Sequence, residues 1–287
     1  MTPGRRGASW LFAAPPFAWL LLFFVVPLGL IAAYSLRAGS GALGPAAPWT
    51  FSLEHYAEVL ATPAFLRLLG VSVGVAVVVA ALATAAAYPI AYFLTFRAGR
   101  RAPLFLTLLL IPFSVSYLLR VMAWKLMLGP EGGINSLLAW SGLSDAPVSL
   151  LLYSRPAVVI TLVYVWIPFA TLPIYAAMQR IQRGQLEAAA DLGAGPWARF
   201  FRVTVPLSLP GAIAAFFMVF IPTVGEYVTP SLVGGTDGIM YGNIIHGFFT
   251  RSANWSVGSA MAMMLLGLTG VLVAAAVLAV GRRQRFA

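Results

Sequence analysis

Six long apolar runs constrain what this chain can fold into more than any other feature of the sequence. They cover residues 11–34, 68–96, 103–128, 157–178, 207–228 and 257–280. Each run is long enough to cross the roughly 30 Å hydrocarbon core of a bilayer as an α-helix. Charged residues make up only 9% of the chain, whereas a soluble domain carries about a quarter. The sequence therefore predicts an all-α membrane protein with six transmembrane helices.

The first apolar run is interpreted as a retained span. A signal peptide has an apolar core of ~7–15 residues and a small-residue cleavage site, whereas this run extends over residues 11–34 behind Arg5 and Arg6. Most of the later runs contain proline. Kinks of this kind are tolerated where neighbouring helices or cavity water satisfy the freed carbonyl groups.

The basic residues set the orientation of the predicted spans. Six spans place both termini on one side of the membrane, and twelve of the eighteen basic residues fall on that side. Because cytoplasmic loops are enriched in Lys and Arg, this side is predicted to be the cytoplasm. The net charge of +10 is thus explained by topology, and no nucleic-acid partner is predicted.

The domain division follows the same topology. It comprises a cytoplasmic N-terminus (1–10), a first span with its external loop (11–67), a core domain (68–280) and a basic cytoplasmic tail (281–287). The first external loop contains a Gly/Pro-rich linker at residues 39–48. Two further external segments, residues 131–152 and 229–256, are expected to hold short helices at 137–140 and 241–249.

One stretch between the fourth and fifth runs, residues 179–206, is too polar to span a membrane. It contains four arginines and two carboxylates. Good helix formers from 180 to 192 predict a first helix, and Gly193 stands where a C-cap glycine is expected. Pro196 suits the first turn of a second helix, which Pro206 is expected to end or kink. Composition alone also fits an ordinary interfacial loop held by its Trp and Phe side chains.

The order of residues in this stretch carries more information than its composition. A Glu-Ala-Ala triplet is followed after three residues by Gly, and after nine more by Val-x-Val-Pro. The residues concerned are Glu187, Ala188, Ala189, Gly193, Val203, Val205 and Pro206. This spacing resembles the EAA motif of ABC-importer permeases, in which the last element is commonly Ile-x-Leu-Pro. We call residues 179–206 the EAA-like segment.

The resemblance implies the type I ABC importer permease fold, with a cytoplasmic coupling helix between spans four and five. It implies that Glu187 contacts a separate ATPase and that Gly193 makes the turn. It also implies that Ala188 and Ala189 let the ATPase approach closely, and that Pro206 passes the motion into the fifth span. The partners implied are an ABC ATPase dimer, a second homologous permease, an external solute-binding protein and the lipid of a bacterial inner membrane.

Other parts of the chain resemble the spermidine/putrescine branch of these permeases. The similar stretches are residues 112–135, 225–235, 242–243 and 255–260, and with the EAA-like segment they extend the resemblance over roughly residues 50–280. The implied function is ATP-driven import of a small solute, a polyamine first and another small solute as the alternative. The chain departs from the branch at Gly70-Val71-Ser72, where a polar contact is expected to be absent.

Glu226 is the one acidic residue inside a predicted span. A carboxylate within a bilayer is costly, about 2.5–3.5 kcal/mol on insertion scales, so it is expected to face protein or a water-filled path. Three interpretations stay open: lining of the translocation path, pairing with Arg120 or Lys125, and a place at the outer interface. Path lining would suit a polycationic solute, with cation–π contacts from nearby aromatic residues. The aromatic candidates are Tyr227, Trp166 and Tyr175.

Enzymatic chemistry finds little support in the sequence. There is no cysteine, which excludes disulfides and thiol catalysis. The only lysine, Lys125, is not part of a phosphate-binding loop, so ATP and Mg²⁺ are expected on the partner ATPase and no cofactor on this chain. Residues 70–74 match the G-x-S-x-G pattern of serine hydrolases, but inside an apolar run small residues more often serve helix packing. No catalytic or metal-ligating residue is predicted.

The remaining rival class is an ion-coupled secondary transporter. Such proteins are built from inverted repeats and carry ionisable groups near the membrane midplane. No convincing internal repeat is visible in this sequence, and Glu226 is the only residue that would qualify as such a group.

Overall fold

A computed structural model describes residues 14–39, 49–143, 148 and 151–284, with side chains to residue 278. Over these residues the chain is helical, apart from turns, loops and one isolated bridge between Arg37 and Phe51. The predicted all-α class is therefore confirmed. The helices pack into two units, one of residues 68–243 and one that joins residues 1–67 to 244–287. The domain limits drawn from the sequence stay a prediction.

Long apolar helices alternate with short ones along the chain. In chain order they are α1 Ala14–Ser35, α2 Glu54–Ala61, α3 Pro63–Arg97, α4 Gly99–Ser114, α5 Tyr117–Leu128, α6 Gly133–Trp140, α7 Arg155–Met178, α8 Arg183–Asp191, α9 Pro196–Val224, α10 Tyr241–Thr250 and α11 Trp255–Gln284. Five of the described helices are long and apolar enough to cross a membrane alone. These are α1, α3, α7, α9 and α11.

The predicted third span over residues 103–128 is not one straight helix. The helical stretch that begins with α5 is bent by 89° from α4. Pro112 lies in a 3₁₀ turn, and Val115 and Ser116 have ψ angles near +139° that no helix adopts. Proline lacks the N–H that a continuing helix needs, so the break falls beside it. With this bent pair counted as one span, the chain has the six predicted spans.

Several other predicted boundaries move by a few residues. α3 begins at Pro63 instead of residue 68. The fifth span ends at Val224 instead of residue 228, so Glu226 follows the helix and does not lie within it. Residues 1–13, 40–48 and 285–287, which include most of the Gly/Pro-rich linker and the predicted N-terminal segment, lie outside the described residues.

The unit of residues 68–243 is organised by small residues. Alanines three or four positions apart form one fully buried face of α3: Ala76, Ala80, Ala83, Ala87 and Ala91. α7 packs most extensively against α9. At their crossing, a Cβ atom added to Gly211 would lie 2.5 Å from both the Ala177 Cβ and the Pro173 carbonyl oxygen. Small side chains let membrane helices approach closely and gain van der Waals contact.

The second unit joins α1, α2 and α11. α11 packs against α1 and α2, and the end of α1 is tied to α2 by the Ser35 and Tyr56 hydroxyls, which are 2.7 Å apart. The carboxylate of Glu54 accepts the Gly39 N–H at 2.8 Å, and the buried His55 ring lies 2.9 Å from the Gly39 carbonyl oxygen. These contacts hold α2 beside the end of the first span.

Replacing Gly211 with alanine should loosen the crossing of α7 and α9. The added methyl group has no room, and overpacking of this kind typically costs about 1–3 kcal/mol. We expect Gly211→Ala to lower the thermal melting temperature of the purified protein. Gly74→Ala is the matched control, since Gly74 also lies within a long helix but has open space around it. Equal melting temperatures for the two variants would contradict the close crossing.

Candidate functional site

The EAA-like segment forms two helices joined by a tight turn. α8 begins after Gln182, whose N–H donates to the side-chain oxygen of Gln185 at 3.2 Å. It ends in a Schellman motif, in which Gly193 N–H donates to Ala190 at 2.8 Å and Ala194 N–H to Ala189 at 3.0 Å. The φ of Gly193 is +83°, a value that favours glycine. The predicted turn at Gly193 is confirmed.

α8 packs lightly on its own chain, against the start of α9 and its Phe200–Thr204 turn. None of its nine residues is buried. Glu187 and Ala188 are exposed and Ala189 is half-buried, so the motif residues face outward from the subunit. Among the described residues Glu187 forms no ion pair. A short helix without a buried face gains little from its own chain, since most helical stability comes from packing.

Pro206 does not end the second helix, because α9 runs without interruption from Pro196 to Val224. A π-helical turn, Phe200–Thr204, lies immediately before Val205 and Pro206. A proline inside an α-helix removes a hydrogen bond and clashes with the carbonyl four residues earlier. The wider π turn re-routes the backbone hydrogen bonds next to that position, which lets the helix continue into the fifth span.

One aromatic side chain anchors this continuous helix to α3. The Phe200 ring packs edge-on against Tyr88 and Tyr92, with centroid distances of 6.2 and 5.6 Å. Trp197 and Phe201 stack on each other at 6.1 Å but stay 77% and 60% exposed. An apolar groove of about 910 Å³ lies between α3 and α9 beside these rings. Of these three aromatic side chains, Phe200 therefore packs within this chain, whereas Trp197 and Phe201 remain largely exposed.

A second feature lies where two helices are interrupted. The first break is at Val115–Ser116, and the second is at Gly225–Tyr227 after α9. The hydroxyls of Tyr117 and Thr229 join the two breaks at 2.5 Å. We call Phe113, Tyr117, Arg120, Glu226 and Thr229 the interruption cluster.

Glu226 has a local structural role in this cluster. Its Oε1 accepts the backbone N–H groups of Val228 at 2.8 Å and Thr229 at 3.2 Å. These are the first N–H groups of the short helical turn that follows the break, so the carboxylate caps that turn. Thr229, whose N–H the carboxylate accepts, contacts the Tyr117 hydroxyl through its own hydroxyl. Glu226 is half-buried.

The ion pair considered between Glu226 and Arg120 or Lys125 is not formed among the described residues. The Arg120 guanidinium lies over the Phe113 ring, 4.7 Å from its centroid, and 5.9 Å from that of Tyr117. Lys125 lies over the ring of Tyr153 at 5.7 Å. Both cations therefore face aromatic rings.

The predicted aromatic path residues are not all brought together. Trp166 reaches the cluster through Phe169, which contacts it at 5.5 Å and Phe113 at 4.3 Å. Tyr227 adjoins Glu226 in the chain and is 40% exposed. Tyr175 lies nine residues after Trp166 on the same helix, which places it about 13 Å away along the axis.

Sequence reasoning missed Phe113, Tyr117 and Thr229. Tyr117 and Arg120 stand three residues apart on α5, a spacing that places them on one helical face. Phe113 lies before the Val115–Ser116 break, so helical spacing does not predict its place beside them. The contact between Tyr117 and Thr229 joins residues 112 positions apart, and no local sequence pattern predicts it.

Ser72 of the G-x-S-x-G match is fully buried, and its hydroxyl accepts the Tyr241 N–H at 2.7 Å. Ser72 thus supplies a polar contact where the resemblance led us to expect none. Burial also raises the pKa of the Tyr241 phenol to about 12. The predicted packing role does not extend to Gly70 and Gly74, whose surroundings are open.

Among the described residues no group of three His, Cys, Asp or Glu side chains is placed to hold a metal ion.

The fold defines a multi-span membrane protein with a short, exposed helix, α8, ahead of its fifth span. A family model described as "Binding-protein-dependent transport system inner membrane component" matches residues 6–285. The chain belongs to this family, and it is a permease subunit of the ABC-importer type in the inner membrane.

Curated relatives extend the similarity along nearly the whole chain. The spermidine/putrescine transport system permease protein PotB of Haemophilus influenzae is 34% identical over 257 residues, covering 90% of this chain and 88% of that protein. PotB of Escherichia coli K12 is 31% identical over 255 residues, covering 89% and 91%.

The fold also agrees with a solved transporter. A chain of a bacterial ABC transporter involved in the import of the acidic polysaccharide alginate superimposes with a TM-score of 0.75, covering 97% of this chain and 96% of that chain. The identity is 16%, so this likeness speaks for the fold alone.

The capping role of Glu226 predicts a difference between two substitutions. Glu226→Ala removes the acceptor for two N–H groups and should destabilise the protein by about 0.5–2 kcal/mol, the usual cost of losing a helix cap. Glu226→Gln keeps an acceptor oxygen and should retain most of the stability. Thermal unfolding of both purified variants measures the difference, and equal losses would argue against the cap.

Proposed function

We propose that this chain is the permease subunit of an ATP-driven importer for a polyamine of the spermidine or putrescine type. The similarity to two PotB proteins over about nine-tenths of the chain carries this proposal. The half-buried carboxylate of Glu226 beside aromatic rings suits a polycation. Import of another small solute is the second candidate.

The proposed complex contains a second permease, a dimer of ATPases that hold ATP and Mg²⁺, and an external solute-binding protein. In this arrangement both termini and the EAA-like segment face the cytoplasm, as the distribution of basic residues favours. α8 docks on the ATPase through Glu187 and Ala188, which its own chain leaves exposed.

The continuous helix α9 supports a direct mechanical connection. Its 29 residues correspond to about 43 Å at 1.5 Å per residue. It starts at the turn that holds α8 and ends two residues before Glu226. Closure of the ATPases on ATP would displace α8, and a rigid α9 would carry that displacement to the interruption cluster.

The proposed docking can be tested at Gly193. Valine at φ +83° is strained by roughly 1–2 kcal/mol, which should distort the turn after α8. We expect Gly193→Val to reduce co-purification of the ATPase or to uncouple ATP hydrolysis from uptake. Gly99→Val is the control, because Gly99 also has a positive φ, +53°, and open surroundings. If both variants behave alike, backbone strain and not the docking site explains the effect.

The proposed path can be tested at Glu226. Glu226→Gln keeps the shape of the side chain and removes its charge, so the complex should assemble but take up spermidine about tenfold more slowly, or worse. A hydrogen bond to a charged group contributes about 1.5–3 kcal/mol, which corresponds to that factor. Glu131→Gln, an exposed carboxylate outside the cluster, is the control. Unchanged uptake in Glu226→Gln would remove Glu226 from the path.

The substrate class has its own test. The external binding protein that operates with this permease is loaded with spermidine or with another solute, and ATP hydrolysis by the reconstituted complex is measured. Stimulation by the spermidine-loaded protein is expected. Stimulation only by a chemically different solute would replace the polyamine proposal with the second candidate.

A further inference from the structure

The interruption cluster contains a cation that belongs to the protein itself. The Arg120 guanidinium lies over Phe113 at 4.7 Å and beside Tyr117 at 5.9 Å. Its Nε is buried and has no hydrogen-bond partner among the described residues. Within the same part of the chain, no carboxylate forms an ion pair with Arg120. Among the described residues, the Phe113 and Tyr117 rings are therefore the main contacts of the Arg120 guanidinium.

Arg120 is half-buried, and its ring contacts hold the guanidinium only weakly, because cation–π contacts at partly exposed sites are modest. Glu226 accepts the Thr229 N–H, and the Thr229 hydroxyl contacts that of Tyr117, over whose ring Arg120 also lies. The cluster thus holds one carboxylate and one cation, with no ion pair between them among the described residues.

The seat of Arg120 would suit an ammonium group as well as a guanidinium. Two ring faces and a nearby carboxylate are features of sites that bind organic cations. The seat also adjoins the two helix breaks. Within the hydrocarbon region, non-helical backbone is tolerated only where it is buried in protein or lines a water-filled cavity.

We propose that Phe113, Tyr117 and Glu226 form an ammonium-binding subsite, and that Arg120 occupies it as a built-in competitor that a substrate ammonium displaces. This inference rests on the proposed function, since it requires a cationic solute. Arg120 then contributes to selectivity. A solute with several ammonium groups can displace Arg120 with one group while its other groups keep their contacts with the protein. A solute with a single positive charge has no other ammonium group to hold it in place during that exchange.

If Arg120 instead binds an acidic solute directly, its removal is expected to have the opposite effect on binding. The unpaired Nε of Arg120 and the unpaired indole N–H of Trp166 are both donors, so an acidic solute would use Arg120 as a direct ligand. Removal of the Arg120 charge should tighten binding of a polyamine if Arg120 competes with it. The same change should weaken binding of an acidic solute if Arg120 is a ligand.

The test is equilibrium binding of radiolabelled spermidine to the complete transporter in nanodiscs, without the external binding protein. We expect Arg120→Gln to bind spermidine about threefold more tightly or better, the order expected when a competing cation–π contact is lost. Arg120→Lys keeps the charge and should resemble the wild type. Phe113→Leu removes the seat and should weaken binding. Lys125→Gln is the matched control, because it removes another ring-bound cation from the same helix.

Unchanged or weaker spermidine binding in Arg120→Gln overturns the inference, as does tighter binding of an acidic solute to the wild type than to this variant. If Arg120→Gln fails to assemble, unchanged binding in Phe113→Leu overturns it instead. Stimulation of wild-type ATP hydrolysis by the spermidine-loaded binding protein is measured in parallel. With stimulation present, a negative result refutes this inference alone; without stimulation, the polyamine proposal fails and the inference fails with it.

Discussion

Satisfaction of backbone hydrogen bonds in a medium without water is the constraint on which this structure depends. Long helices satisfy their own backbone hydrogen bonds along most of the described chain. The exceptions are the breaks between helices. At the Gly225–Tyr227 break, Glu226 accepts two N–H groups, and the Tyr117–Thr229 contact joins this break to the one beside Pro112. Side-chain oxygen therefore replaces part of the helical hydrogen bonding at the Gly225–Tyr227 break.

The continuity of α9 links the two candidate sites. A proline ahead of a span would ordinarily end the helix that precedes it. Here the helix that follows the Gly193 turn continues through the π turn at Phe200–Thr204 into the fifth span, and Phe200 packs against α3. The close crossing at Gly211 adds a second fixed point against α7.

The helical spans and the EAA-like turn could be predicted because their signals are local. Apolar length identifies a span, and Gly193 followed by Pro196 identifies the end of one helix and the start of the next. The bend between α4 and α5 and the end of α9 before Glu226 were missed, since hydropathy continues across both breaks. Apolar composition indicates that a segment lies in an apolar environment. It does not indicate whether the backbone of that segment is one straight helix or two helices with a break between them.

By itself, the sequence determined that the chain is a helical membrane protein and where the turn of its EAA-like segment lies, because length, hydropathy and turn residues act within a few positions of one another. Only the tertiary structure decided that Glu226 caps a turn, that Arg120 lies on aromatic rings, and that Ser72 accepts a backbone N–H from Tyr241. These contacts join residues from distant parts of the chain or depend on where a helix stops. They arise from the packing of whole helices, which no short stretch of sequence specifies.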